Sequence, residues 1–503
     1  MFELTGNTLT FADFEAIVLR GQQVSLAAAA RSRMEASRTV IEKLVTSNTT
    51  AYGVNTGFGE LSCVRISADQ IRQLQLNLVR SHACGVGAPL SEAETRGMLL
   101  LRANALAKGF SGVRPVLVEG LCAMLNRGVH PVIPCQGSVG ASGDLAPLAH
   151  LAQVVIGEGE AIFMGDRLPG GEALRRAGIA TLVLEAKEGL SLLNGTQGML
   201  ALCVPALREA EIFADTADVA AALSLDALRG SPVAFDARIA AVRPYPGHAA
   251  TARNLTRLNV GSEIRESHRS TERDPRVQDA YSLRCTPQVH GSFRDALAGV
   301  RATLEVELNS ATDNPLVFAD SGEVLSGGNF HGQPLAMAAD QLAIALATLG
   351  GIAERRVEHM TNPHTSLLPA FLISEAGLNS GFMIAQVTAA ALASENKAMS
   401  TPHSVDSITT SGNQEDYVSM GMSAARRLRP MLDNLRNILA IELLAAAQGI
   451  DLLAPLRTGT EARRAHSLIR SVSQLVTADR SLAPDIAAVA RLISAGDFQK
   501  LLL

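Results

Sequence analysis

The chain has 503 residues, 47% of them hydrophobic, 4% aromatic and none tryptophan. With only 18% charged residues it is too apolar to stay disordered, and at about 150 residues per domain it has room for three domains or one large helical assembly. A net charge of -5 argues against a nucleic-acid or other polyanionic partner.

Taken in chain order, Phe2 to Phe11 alternates around Gly6-Asn7 and is expected to form a small hairpin. Asn314 to Leu325, with Asp320-Ser321-Gly322 at its centre, predicts a second. Elsewhere alanine and leucine dominate, so helix is the default. Leu335, Ala338, Leu342, Ala345, Leu349 and Ile352 predict a helix over 334–360. A second is expected over 379–398, and a third from about Gln414, with a kink, towards Leu453. The reading is a mainly α protein: a long-helix bundle with a smaller N-terminal region of loops and short strands. A loose boundary separates residues 1–200 from 201–503, because Gly and Pro punctuation thins out there.

The cluster Arg426-Arg427-Leu428-Arg429 reads as a solvated helix face. Cys63, Cys84, Cys122, Cys135, Cys203 and Cys285 are widely spaced, which points to reduced thiols. The opening Met-Phe-Glu-Leu-Thr-Gly has no basic segment followed by an apolar one, so no secretory signal is expected. Apolar stretches such as 438–456 are broken by Glu442, Gln448 and Asp451. A soluble, cytoplasmic protein without membrane association is expected. The eleven histidines show no metal-ligand spacing, so no metal is expected.

Gly53-Val-Asn-Thr-Gly57-Phe-Gly59 reads as a flexible loop without the spacing of a dinucleotide site. Gly137-Ser138-Val139-Gly140-Ala141-Ser142-Gly143-Asp144 is more informative, because Asp144 suits an N-cap and Pro147 a first turn. Ala141-Ser142-Gly143 then lies just before a helix expected to end at Gly157. A plain helix-entry loop is one reading. A serine nucleophile is another, but the G-x-S-x-G elbow is absent and no strand is expected ahead of it. In a third, the Gly143 nitrogen attacks the Ala141 carbonyl carbon. Loss of one water closes a five-membered ring, and loss of a second across Ser142 leaves an exocyclic alkene. The helix N-terminus beside it favours negative charge developing on that electrophile.

Gly140-Ala-Ser-Gly-Asp-Leu-Ala-Pro-Leu-Ala-His150 resembles the signature of the histidine and aromatic amino-acid ammonia-lyases, whose methylidene-imidazolone group is that ring. Further segments follow in family order. They are Tyr52-Gly-Val-Asn-Thr-Gly-Phe-Gly59, Ser81-His82-Ala-Cys-Gly-Val-Gly87, Lys187-Glu-Gly-Leu-Ser-Leu-Leu-Asn194-Gly-Thr196 and Gln278-Asp-Ala-Tyr281-Ser-Leu-Arg284-Cys-Thr-Pro-Gln288. Thr312-Asp-Asn-Pro315, Ser326-Gly-Gly-Asn-Phe330-His331, Asn379-Ser-Gly-Phe382 and Asn413-Gln-Glu415-Asp-Tyr-Val-Ser-Met420 complete the set. The resemblance implies a helical fold of the ammonia-lyase and fumarase-like kind, and a homotetramer whose active sites draw on more than one chain. It also implies a prosthetic group formed from Ala141-Ser142-Gly143, with no external cofactor. Fumarase-like lyases themselves are disfavoured, since their Gly-Ser-Ser-x-Met-Pro loop is missing.

By the same resemblance Tyr52, on a glycine-rich lid, is the base or proton shuttle and Tyr281 assists. A phenol of ordinary pKa about 10 must be lowered for that work. Arg284 pairs with the substrate carboxylate. Asn194 and Gln278 hydrogen-bond the substrate or orient the ring, and Phe330 forms an apolar wall. His82 and Glu415 make a pocket end suited to both nitrogens of an imidazole, whereas a benzene ring would leave the carboxylate unpaired. The expected reaction is ammonia elimination from L-histidine to trans-urocanate, which opens histidine degradation. The alternative is a tyrosine or phenylalanine lyase or aminomutase on the same group. Gly332-Gln333 stands where histidine lyases more usually have Ala-Glu, and would shift the preference if Gln333 bordered the pocket.

Overall fold

A computed structural model describes residues 1–47, 50–57, 64–270, 274 and 276–502. It is mainly α-helical, with short strands, and divides into two compact units. The first comprises Met1–Pro205, Arg301–Asp340 and Pro402–Arg426; the second comprises Ala206–Val300, Gln341–Thr401 and Arg427–Leu503. Among the described residues all the strands lie in the first unit.

The first unit departs at once from the expected hairpin. Phe2–Leu4 pairs in parallel with Val24–Leu26, not with its own neighbours. Gly6, at φ +79°, turns where a Cβ would stand 2.5 Å from the Lys108 nitrogen, and its N–H donates to Asn104 Oδ1. A Thr10–Asp13 capping box then starts helix Phe11–Val18, which buries Phe11, Phe14, Ile17 and Val18. The alternation of Phe2 and Leu4 is that of a strand, as expected, but its partner lies far along the chain at Val24–Leu26, and Phe11 already opens a helix. The second expected hairpin forms: Leu316–Phe318 pairs antiparallel with Glu323–Leu325, and Gly322 turns at φ +72°. Helix Glu92–Ala107 is buried from Thr95 onward, Arg102 included.

The long helix expected over 334–360 runs Gln333–Thr361. By length and composition it is the one described helix that could cross a membrane, and 61% of its apolar window is buried inside the fold. The helix expected from residue 379 starts at Met383. The Asp479 carboxylate accepts from the Ser380 and Gly381 amides at 2.8 Å each, holding the preceding residues in a turn. Similarly, residues 414–420 are not helical; helices run Gly421–Arg426 and Leu428–Asp451. The basic cluster is also more than a solvated face. Arg429 is exposed, but Arg427 is buried and donates to the Met399 and Thr401 carbonyls.

In the second unit, Leu428–Asp451 packs against Met383–Met399 and Ala483–Ser494. Its centre holds Glu442, wholly buried against wholly buried Arg356 at 2.5 Å. Ser224 Oγ donates to the same carboxylate. His290 Nδ1–H donates to Asp218 at 2.8 Å, so its Nε2 accepts from Arg356, and burial holds this imidazole below its ordinary pKa. Two charges withdrawn from water tolerate neither partner's loss. Glu442→Leu alone is expected to cost about 3–5 kcal/mol in urea unfolding. Combining it with Arg356→Met is expected to recover most of that loss, and equal instability of the two variants would contradict this account.

Candidate active site

The strand Pro134–Gln136, paired antiparallel with Val86–Pro89, leads into the glycine-rich loop, so a short strand does precede it. Helix Leu145–Val155 follows. Between them Gly140, Ser142 and Gly143 all have positive φ: +90°, +48° and +82°. The Gly143 N–H donates to the Gly140 carbonyl at 3.2 Å, folding the triplet into a tight turn. That turn is pressed on Gly195, where Gly195 N donates to Ser142 O and Asp144 N donates to Gly195 O at 2.7 Å. A Cβ on Gly143 would sit 2.1 Å from the Gly195 carbonyl oxygen, so only glycine fits. Left-handed backbone at a serine costs about 1–3 kcal/mol, and these contacts hold it there.

Asp144 precedes its helix as expected but does not cap it. Its side chain accepts from the Met199 amide at 2.8 Å and from Ser138 Oγ, tying the loop to the first turn of helix Gln197–Ala227. Complete burial pushes this carboxyl up to about 7.

Tyr52, His82, Ser142, Ser411 and Glu415 line one cavity of about 620 Å³ whose other walls include Leu78 and Leu190. Ser142 Oγ donates to Glu415 Oε1 at 3.3 Å. The other carboxylate oxygen accepts from Ser411 Oγ at 2.6 Å and from Thr410 Oγ1 at 3.2 Å. His82 Nδ1 lies 2.9 Å from the Leu78 carbonyl, which can only accept, so Nδ1 carries the proton and Nε2 is an acceptor. Burial lowers the His82 pKa, opposed by the Leu78 carbonyl and the Glu415 charge.

Asn194 ends helix Glu188–Leu193, buried, with Nδ2 donating to the Asn314 carbonyl and Oδ1 unpartnered. Arg102 lies beneath it, donating to the Asn194 carbonyl at 2.7 Å and to Gln197 Oε1; burial brings its guanidinium down to about 10. Lys187, also fully buried, pairs with Asp313 at 2.7 Å and donates to Ser191. Sequence reasoning missed Arg102 and Ser411. A lone arginine inside the apolar run Met98–Ala107 was the available signal for the first, since such a charge must be paired.

Residues 9–471 match the family model for aromatic amino acid lyases. The chain belongs to the aromatic amino acid lyase family. It is similar to the histidine ammonia-lyases of Koribacter versatilis, 56% identical over 98% of each chain, and of Sorangium cellulosum, 54% identical over 98% of this chain and 97% of that one. Among solved structures it is similar to histidine ammonia-lyase from Trypanosoma cruzi, with 45% identity and a TM-score of 0.91 over 100% of this chain and 94% of that one. Tyrosine aminomutase from Streptomyces globisporus is also similar, with 39% identity and a TM-score of 0.94 over 100% and 98%.

In this aromatic amino acid lyase family member the remaining expected residues are not among those lining that cavity. Gln278, Tyr281 and Arg284 belong to the second unit. Tyr281 and Arg284 stand at either end of a one-turn helix; the guanidinium lies 4.5 Å from the ring centroid, and Tyr281 as a whole is 70% exposed. Arg356 donates to the Ser282 carbonyl within that turn. Gln278 is exposed. Phe330, in the first unit, is half-buried beside an exposed loop whose Gly327 amide donates to Asn314 Oδ1. Gln333 does not border the cavity either; its Nε2 donates to the Ser404 carbonyl. The glycine-rich segment is a packed turn over residues 51–57, with Val54 wholly buried, while Gly59 and Cys63 fall outside the described residues. The other five cysteines are free thiols.

Because folding raises the Asp144 pKa from 3.8 to about 7, its contribution to stability is greatest at acid pH and falls as pH rises through that window. Asp144→Asn keeps an acceptor for Met199 and is expected to remove this component. Urea midpoints of the two proteins between pH 4 and 8 check it, and parallel curves would exclude the effect.

Proposed function

We propose that the protein eliminates ammonia from L-histidine to give trans-urocanate, the first step of histidine degradation, as a cytoplasmic homotetramer. The observation that carries the reading is one cavity bringing the clamped Ser142 turn together with Glu415 and His82. Similarity to histidine ammonia-lyases over nearly the whole chain supports it.

The residues present fit a methylidene-imidazolone made from Ala141, Ser142 and Gly143. Gly143 has no room for a Cβ, Ser142 is held left-handed, and the buried Asn194 Oδ1 is unpartnered next to the clamp. Formed with loss of two waters, that group supplies an electrophile that makes the substrate amine a better leaving group. Around it, each side chain has a separate task. Glu415 Oε1 loses its hydroxyl partner once Ser142 is dehydrated and is then available to a substrate N–H. His82 Nε2 offers a second acceptor. Two acceptors suit an imidazolium ring, whose nitrogens both donate, whereas a phenyl side chain would leave both unpaired at a cost of about 10⁴–10⁵ in selectivity. Tyr52, which also lines the cavity, takes the β-proton. Arg284, with Nε unpartnered, binds the substrate carboxylate and Tyr281 assists the proton transfer. Gln278 and Phe330 complete the substrate's surroundings. The 70% exposure of Tyr281 supports sites completed by a neighbouring chain.

The intact wild-type protein is expected to weigh two water molecules less than its translated sequence and to turn over L-histidine. Ser142→Ala is expected to keep full mass and lose turnover. Equal masses would refute the ring, and turnover of L-phenylalanine or L-tyrosine without L-histidine would point to the lyase or aminomutase for those substrates. Steady-state kinetics are expected to show a higher KM for Arg284→Ala and a lower kcat for Tyr52→Phe; the reverse pattern would undo both role assignments.

A further inference from the structure

We propose that Ser411 is a specificity-determining residue that aims the Glu415 carboxylate into the cavity, an inference that rests on the histidine-lyase reading. Ser411, Gly412 and Asn413 follow one another in left-handed backbone, at φ 51°, 63° and 72°. Gly412 adopts it freely, but Ser411 and Asn413 carry a Cβ, which left-handed backbone disfavours, asparagine being the better tolerated of the two. Glycine would relieve position 411, yet a serine stands there, so its side chain has to justify the conformation.

The geometry supplies that justification. The Thr410 amide donates to the Glu415 carbonyl at 2.9 Å, closing the strained turn into a loop that returns Glu415 beside Ser411. Ser411 lines the cavity, and its hydroxyl donates to Glu415 Oε2 at 2.6 Å, the shorter of the two bonds that oxygen accepts. Thr410 Oγ1 has a competing acceptor in the Glu415 carbonyl, 3.4 Å away, so Ser411 is the dedicated donor. With Oε2 engaged from the loop side, Oε1 is the oxygen turned towards Ser142. A glutamate without this tether would sample several side-chain rotations and lose part of its interaction in ordering on each substrate. Ser411 acts through Glu415 and holds its carboxylate oriented before substrate arrives.

The test measures Ser411→Ala and Ser411→Gly for three quantities: intact mass, thermal stability, and the ratio of kcat/KM for L-histidine over L-phenylalanine. Loss of a hydrogen bond to a charged group predicts a KM for L-histidine raised roughly tenfold or more, and a selectivity ratio lowered by a similar factor. Both variants are expected to remain two waters light. Ser411→Gly is expected to be at least as stable as wild type, because it relieves the strain. Where a variant is not two waters light, calorimetry in the Ser142→Ala background reads binding alone, with the Ser411→Ala partner expected to bind L-histidine about tenfold more weakly. An unchanged ratio and unchanged affinity would overturn the proposal while wild-type turnover of L-histidine stands. Failure of the wild type itself on L-histidine would overturn both this inference and the reading beneath it.

Discussion

A steric constraint at one atom organises the first unit. The Gly195 carbonyl oxygen occupies the space that any Cβ at Gly143 would need. That space being filled, the backbone from Gly140 to Asp144 lies close enough to be gripped by three backbone hydrogen bonds. Everything that lends the turn its chemistry is arranged to keep this grip. Asp144 pins the far side through Met199, Arg102 holds the Asn194 carbonyl from below, and Lys187 with Asp313 anchors the helix that ends at Asn194. Buried charges are costly unless matched. Here Lys187 and Asp313 answer each other, while Asp144 and Arg102 are held by backbone and amide groups, which is where a loop that must stay bent has its polar atoms.

The second unit uses the same economy for a different purpose. Asp218, His290, Arg356 and Glu442 form a continuous buried chain, and its arginine also reaches the Ser282 carbonyl. That carbonyl lies between Tyr281 and Arg284, on a helix of a single turn. One turn of helix has little stability of its own. Arg356 and Thr286 Oγ1 both donate to its Ser282 carbonyl, while Tyr281 stays exposed with the Arg284 guanidinium over its ring.

Much of the candidate site was legible because the chemistry proposed for it calls for particular residues in short runs. Ala141-Ser142-Gly143, Tyr52, His82 and Glu415 stand in contiguous motifs, and the cavity gathers members of three such motifs around Ser142. What escaped reading were partners that act across the chain. Asp144 looks like an N-cap for the helix it precedes, yet its carboxylate serves another helix fifty-five residues later. Asn379 looks like a helix start, but Asp479 takes the amides that would begin it. Ser411 has an ordinary sequence context; only the strained loop sets its hydroxyl on Glu415.

By itself, then, the order of residues determined the helical class, the hairpin at 316–325 and the family, and it singled out the Ala141-Ser142-Gly143 triplet. These depend on periodicity and on contiguous residues, which are local properties of a chain. Tertiary structure alone decided that Phe2–Leu4 pairs with Val24–Leu26 and that Gln333 turns towards Ser404. It also decided which buried charges answer each other. Those outcomes depend on which distant groups arrive within about 3 Å of one another, and no spacing along the sequence encodes that distance.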